Sequence, residues 1–215
     1  MKRFLLVFLL LLSACAHLPN VQPMDGERRS RIESDCQSHF LQGRWQLVHT
    51  ITARLYGGRV TVLTGVIVLS SADRSIHCVL MTLEGFVLFE AADHGEVTVK
   101  RAFGPFDNSE FAQGVTRDIR LIFLAPEGKM QAAGKFADGT GGCRYQVARQ
   151  HTVDLVERPD GGWRMHQYDP SGYLLRSVTA DPPDLNGISH RLTLEAGGRH
   201  AYRLSMTLVE AVRLQ

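Results

Sequence analysis

From Arg44 onward the chain alternates. Trp45, Leu47, Ile51 and Leu55 fall on one side of an extended segment, with Gln46, Thr50, Thr52 and Arg54 on the other. That two-residue rhythm is the signature of a half-buried strand. The preceding stretch, "GERRSRIESDCQSHFLQG", has a different period: Ile32, Cys36 and Phe40 recur every fourth residue among charges. It predicts an amphipathic helix with a narrow apolar stripe, ended by Gly43. After "YGGR" the extended pattern resumes over Val60 to Leu69, and "SADRS" turns it into Ile76 to Leu83. Glu84-Gly85 leads into "FVLFEA", and "DHGE" closes a further hairpin. Turn signals at about ten-residue intervals predict a β-meander.

Three adjacent strands of this meander are apolar on both faces. Val60, Val62, Val66 and Val68 oppose Leu63, Ile67 and Leu69; Ile76, Cys78 and Leu80 oppose Val79, Met81 and Leu83; Val87 and Phe89 oppose Phe86 and Leu88. A sheet with one wet face should read apolar on one side alone, so a second layer is expected over the other face. Two readings stand: full coverage by the chain's own elements, or an apolar cavity for a ligand. The helix stripe is too narrow to cover three strands alone.

"GPFDNSEFAQG" interrupts the sheet. Asp107 followed by Glu110 resembles a capping box and predicts a short, lid-like helix with Phe106 and Phe111 pointing inward. A plain connecting helix is the alternative. "RDIRLIFLAP" reads as a strand and "ADGTGG" as a loop. "CRYQVARQHTVDLVE", "GWRMHQY", "SGYLLRSVTA", "ISHRLTLE" and "HAYRLSMTLVEAVRL" continue the extended pattern. The class is mainly β: an antiparallel sheet of about ten or eleven strands, curled into an open or closed barrel, with one leading helix.

The N-terminus stands apart. Lys2 and Arg3 precede an uninterrupted apolar run, Phe4 to Leu12, too short for the roughly 20 residues that span a bilayer. A charged start, a short apolar core and small residues make an export signal. Leu12-Ser13-Ala14-Cys15 resembles the lipobox of bacterial lipoproteins, which implies that residues 1–14 are removed and Cys15 carries the lipid. Ala16, rather than Asp, then implies the periplasmic face of the outer membrane. Residues 15–26, with two prolines, read as a lipidated tether, and residues 27–215 as a single domain.

Removing residues 1–14 leaves 22 of the 24 basic residues against 22 acidic ones. The balance gives no electrostatic case for a nucleic-acid partner. Beyond Cys15 there are Cys36, Cys78 and Cys143. Cys78 sits in the strand-like "SIHCVLM" as a small apolar residue. That favours a Cys36–Cys143 disulfide in an oxidising compartment, against the alternative of three unpaired thiols.

Candidate chemistry is sparse. The nine histidines are scattered, with no HExxH and no paired CxxC, so no metal or other cofactor is expected. No GxSxG elbow exists, and "GTGGC" lacks the Lys-Ser/Thr ending of a phosphate loop. His49 falls on the Trp45/Leu47/Ile51 face, where a partly buried, hydrogen-bonded imidazole is expected. No constellation supports an enzyme.

The leading helix, the meander, the mid-chain helical interruption and the lipobox together resemble the LolA/LolB group of periplasmic carriers and outer-membrane receptors of lipoproteins. "GWRMHQYDPSGYLLRSVTA" with "HRLTLEAGGRHAYRLSMTLVEA", and "MTLEGFVLFEA", are similar to segments of that group. The resemblance implies an unclosed half-barrel covered by helices. The Trp-x-Gln of its receptor branch is absent, although Trp45-Gln46 falls nearby. The leading expectation is a lipid-anchored, non-enzymatic module that holds acyl chains or a lipidated partner in an apolar half-barrel. Leu63, Ile67, Leu80, Leu88 and Phe111 would line it, with Phe106 at the lid; which strand face is inward stays open. A scaffold or assembly lipoprotein without a ligand is the alternative.

Overall fold

A computed structural model describes residues 18–198 and 201–215. The signal segment and Cys15 lie outside the described residues. The elements are β1 (Val21–Pro23), α1 (Gly26–Ser38), β2 (Arg44–Leu55), β3 (Val60–Ser70), β4 (Ile76–Met81), β5 (Val87–Asp93), β6 (Val97–Ala102) and α2 (Ser109–Phe123). They continue with β7 (Gly128–Phe136), β8 (Gly141–Val147), β9 (Thr152–Glu157), β10 (Trp163–Tyr168), β11 (Leu174–Ala180), β12 (Arg191–Ala196) and β13 (Tyr202–Leu214). All strands join one 13-stranded antiparallel sheet in the order β1-β7-β8-β9-β10-β11-β12-β13-β2-β3-β4-β5-β6. β1 and β6 are its free edges, so the sheet is an unclosed half-barrel.

Register decides which residues face inward. Leu47 pairs with Ile67, Ile67 with Cys78 and Cys78 with Ala91, making one row across four strands. All four side chains are buried. The row through Trp45, Leu69, Ile76 and Asp93 runs beside it. Among the described residues no second layer covers the opposite faces of β3 and β4. Val48, Val66 and Val79 stand opposite one another there, half-buried by their own cross-strand contacts, which suits β-branched side chains. Farther along β3, Val62 is 41% exposed.

Three segments differ from the sequence expectation. "RDIRLIFLAP" is not a strand: α2 continues through it to Phe123, making a helix of 15 residues rather than a short one. Its cap is Asn108, not Asp107, with the side chain accepting the Phe111 N–H at 2.7 Å. "CRYQVARQHTVDLVE" is two strands, split by a tight turn at Ala148–Gln150 in which Arg149 and Gln150 both have φ of 58°. Within the expected tether, Val21–Pro23 forms β1 on β7. Gly134 permits that approach, since a Cβ there would lie 2.0 Å from the Gln22 carbonyl oxygen.

Candidate functional site

The concave side of the sheet is closed by both helices. α1 lies against β7 and β8 and is tied to the sheet by a Cys36–Cys143 disulfide, with a Cα–Cα distance of 6.3 Å. Cys78 is buried and unpaired. Burial pushes its thiol up to about 11.

α2 crosses the concave face as a strap. Ala112, Thr116, Ile119 and Phe123 recur at helical spacing and are buried, together with Ile122. Phe123 reaches His49 on β2, with ring centroids 5.8 Å apart. At the helix start, Phe111 packs edge-on against Phe89 of β5 at 5.0 Å, and Phe106 meets Phe111 at 5.1 Å. Polar latches hold the strap on both sides. Asp118 accepts from Arg176 Nε of β11 at 2.6 Å and from the Tyr202 hydroxyl of β13. Arg120 reaches the other way, its Nη2 2.9 Å from Asp93 of β5. Burial pushes the Asp118 carboxyl up, against the opposing pull of Arg176 and Tyr202. Tyr202 is likewise raised, by burial first and then by the Asp118 charge.

The structure brings most of the sequence-selected residues to this face. Leu63 and Ile67 are buried on the inner side of β3, and Leu80 is half-buried on β4 opposite Phe89. Phe106 and Phe111 pack at the same end. Leu88 does not join them: it lies on the other side of β5 from Phe89, because adjacent strand residues point to opposite faces. The space between Leu63, Ile67 and α2 is occupied by core side chains, among them Leu47, Phe89, Ile122 and Phe123. Two open clefts are present, of about 400 and 220 Å³, and none of the six residues lines either one. Among the described residues no group of three or more His, Cys, Asp or Glu is placed to hold a metal ion.

His49 differs from expectation in its polar environment. It is 1% exposed, and neither ring nitrogen has a hydrogen-bond partner among the described residues. Its register partner on β3 is Gly65, where a Cβ would lie 2.6 Å from Ile51 Cδ1. Burial takes the imidazole down to about 4, and nearby His190 adds to the shift. Burial also lowers His39 and His166. The folded ring stays neutral while the unfolded one protonates near 6.5, so the unfolded state binds more protons. The stability contributed by a neutral His49 is therefore full above pH 6.5, falls below it, and levels off near pH 4. The His49 contribution to this loss is about 3 kcal/mol. Denaturant titrations across that window will show the acid limb in the native chain, and His49→Leu will make it shallower, leaving the part due to His39 and His166; a variant profile parallel to the native one would contradict this origin.

No family model and no curated protein sequence matches the chain. Its structure is similar to the crystal structure of the LolA superfamily protein NE2245 from Nitrosomonas europaea. The TM-score is 0.56 at 10% sequence identity, covering 87% of this chain and 94% of that one. The fold is LolA-like.

Proposed function

We propose that this chain is an envelope protein, anchored by lipid on Cys15 at the periplasmic face of the outer membrane, that takes acyl chains or a lipidated partner into its half-barrel beneath α2. The observation that carries the reading is the position of α2 across the concave face of an unclosed sheet, latched at Asp118 and Arg120. The apolar residues it covers would bind hydrocarbon once it lifts, driven by about 25 cal/mol for each Å² of ligand surface removed from water. The Cys36–Cys143 disulfide fits an oxidising compartment. The lipobox-like Leu12 to Cys15 and Ala16 supply the anchor and its membrane.

The test is to extract the purified full chain with solvent, identify co-purified lipid, and titrate a polarity-sensitive fluorescent fatty acid. Saturable binding is expected. Phe111→Ala, on the inner side, will weaken it about tenfold, whereas Leu88→Ala, on the outer side, will leave it unchanged. A scaffold role without ligand is the second reading, favoured by the interior being filled with the chain's own side chains. It stands if neither co-purified lipid nor saturable binding is found.

A further inference from the structure

The larger cleft, about 400 Å³, opens between the C-terminal half of α2 and strands β9 to β11. Its composition is unusual for a recess in a protein with balanced charge. Five arginines line it, Arg74, Arg117, Arg120, Arg149 and Arg176, against a single lining carboxylate, Glu127. They come from separate parts of the chain: the turn before β4, α2, the turn after β8, and β11. Arg120 and Arg176 are tied to Asp93 and Asp118, the two latches of α2. Arg117 and Arg149 have no ion-pair partner among the described residues. Arg74 Nε lies 2.6 Å from a Glu127 oxygen without a hydrogen bond of its own, while its Nη1 donates to the Ala125 carbonyl at 3.0 Å. Burial lowers the Arg74 pKa, opposed by the Glu127 charge, with the neighbouring Arg120 charge adding to the lowering. Three of the five guanidinium groups thus have a carboxylate and two, Arg117 and Arg149, have none among the described residues. Apart from the polar side chains of His151 and Gln167, the rest of the wall is apolar, with Leu121, Leu124, Val153 and Leu175 as its largest members. Leu124 and Val153 also belong to the core under α2, so this wall is the rim of that core.

We propose that the cleft binds the phosphate-ester anion of an amphiphile, with the phosphate between Arg117 and Arg149 and the first methylenes on the apolar wall. Planar guanidinium forks match phosphate oxygens in paired hydrogen bonds. The adjoining wall leads a hydrocarbon chain toward the face that α2 covers. The proposal deepens the carrier reading, on which it rests for the fate of the tail, by naming the charged end of the ligand. Inorganic phosphate shares the anionic chemistry and lacks the apolar part.

Calorimetric titration of the purified full chain with four probes separates the cases: short-chain dihexanoyl phosphatidate, uncharged dihexanoylglycerol, sodium phosphate and an acidic peptide. The phosphatidate is expected to bind at least about tenfold more tightly than any of the others, and less tightly at high salt. Arg117→Ala with Arg149→Ala will cut phosphatidate affinity about tenfold or more, while Arg117→Lys with Arg149→Lys will lose less. Both arginines are exposed, so the thermal midpoint of these variants should not move. Equal affinity for phosphatidate and inorganic phosphate would overturn the amphiphile in favour of a phosphate-only site. Equal affinity for phosphatidate and dihexanoylglycerol, insensitive to the alanine pair, would overturn the headgroup clasp and leave the carrier reading intact. Binding of the fluorescent fatty acid without binding of phosphatidate would overturn the clasp in the same way. Tighter binding of an acidic peptide than of phosphatidate would overturn the proposal in favour of a protein partner.

Discussion

Replacing Cys36 and Cys143 together by alanine will lower the unfolding free energy by about 4 to 5 kcal/mol, the entropy of closing a loop of this length in the unfolded chain. The two cysteines are 107 residues apart, so the bond removes many unfolded conformations. Its local effect adds to that. Cys36 is the only fully buried residue of α1, and the Asp25 side chain makes no cap hydrogen bond. A helix with so little apolar contact depends on the covalent tie to stay on β8. The measurement is a pair of urea titrations of the native chain with and without reductant, beside the double variant. Reductant will shift the native midpoint onto that of the variant, with a loss of helical circular dichroism. A native midpoint indifferent to reductant would mean that the constraint is missing in solution. The Cys78 thiol, raised by burial to about 11, stays protonated and offers no competing thiolate.

Asp154→Ala will cost about 3 to 5 kcal/mol, the usual penalty for stranding one partner of a buried ion pair. Asp154 is 0% exposed, and its two oxygens accept from Arg144 Nε and Nη2, each at 2.6 Å. The same Nη2 donates to the Pro19 carbonyl at 2.8 Å. Without the carboxylate, the Arg144 charge remains between β8 and β9 with no anion paired to it among the described residues, held by that carbonyl and the Phe136 ring, 5.9 Å away at its centroid. Arg144→Met with Asp154→Leu will recover most of the loss, because removing both charges also removes their desolvation cost. Denaturant midpoints of Arg144→Met, Asp154→Leu and the variant carrying both form the cycle. Additive losses would show that the two side chains are not coupled.

The inner row of the sheet is legible in the sequence because it depends on local alternation. Trp45, Leu47 and Ile51 mark the buried face of β2 without reference to any partner strand. The second half of α2 is not legible, and the cause is visible in its residues. Asp118, Ile119, Arg120 and Leu121 alternate polar with apolar, matching a strand over four positions. The helical period emerges only over the longer span from Ala112 to Phe123. Asp118 and Arg120 are drawn inward by Arg176 and Asp93, partners 58 and 27 residues away, so nothing local announces their burial. The turn after β8 is hidden for a related reason: Arg149 and Gln150 adopt a left-handed backbone that glycine or asparagine would normally mark. The arginine cleft has no sequence signature at all, since its members meet only when α2 lies across β9 to β11. Leu88 stands a single step of register from the inner face, which in a strand is the difference between inside and outside.

The pairing of β1 with β7, reinforced by the Arg144 bond to Pro19, sets how the domain would hang from its anchor. Pro19 is fixed to the sheet, and the chain from there back to Cys15 can extend no more than about 14 Å. If Cys15 carries the proposed lipid, so short a leash would keep the β1 border of the barrel near the headgroups and deny the domain free tumbling. A longer mooring, made by inserting a flexible stretch before Leu18, would restore that freedom without touching the fold.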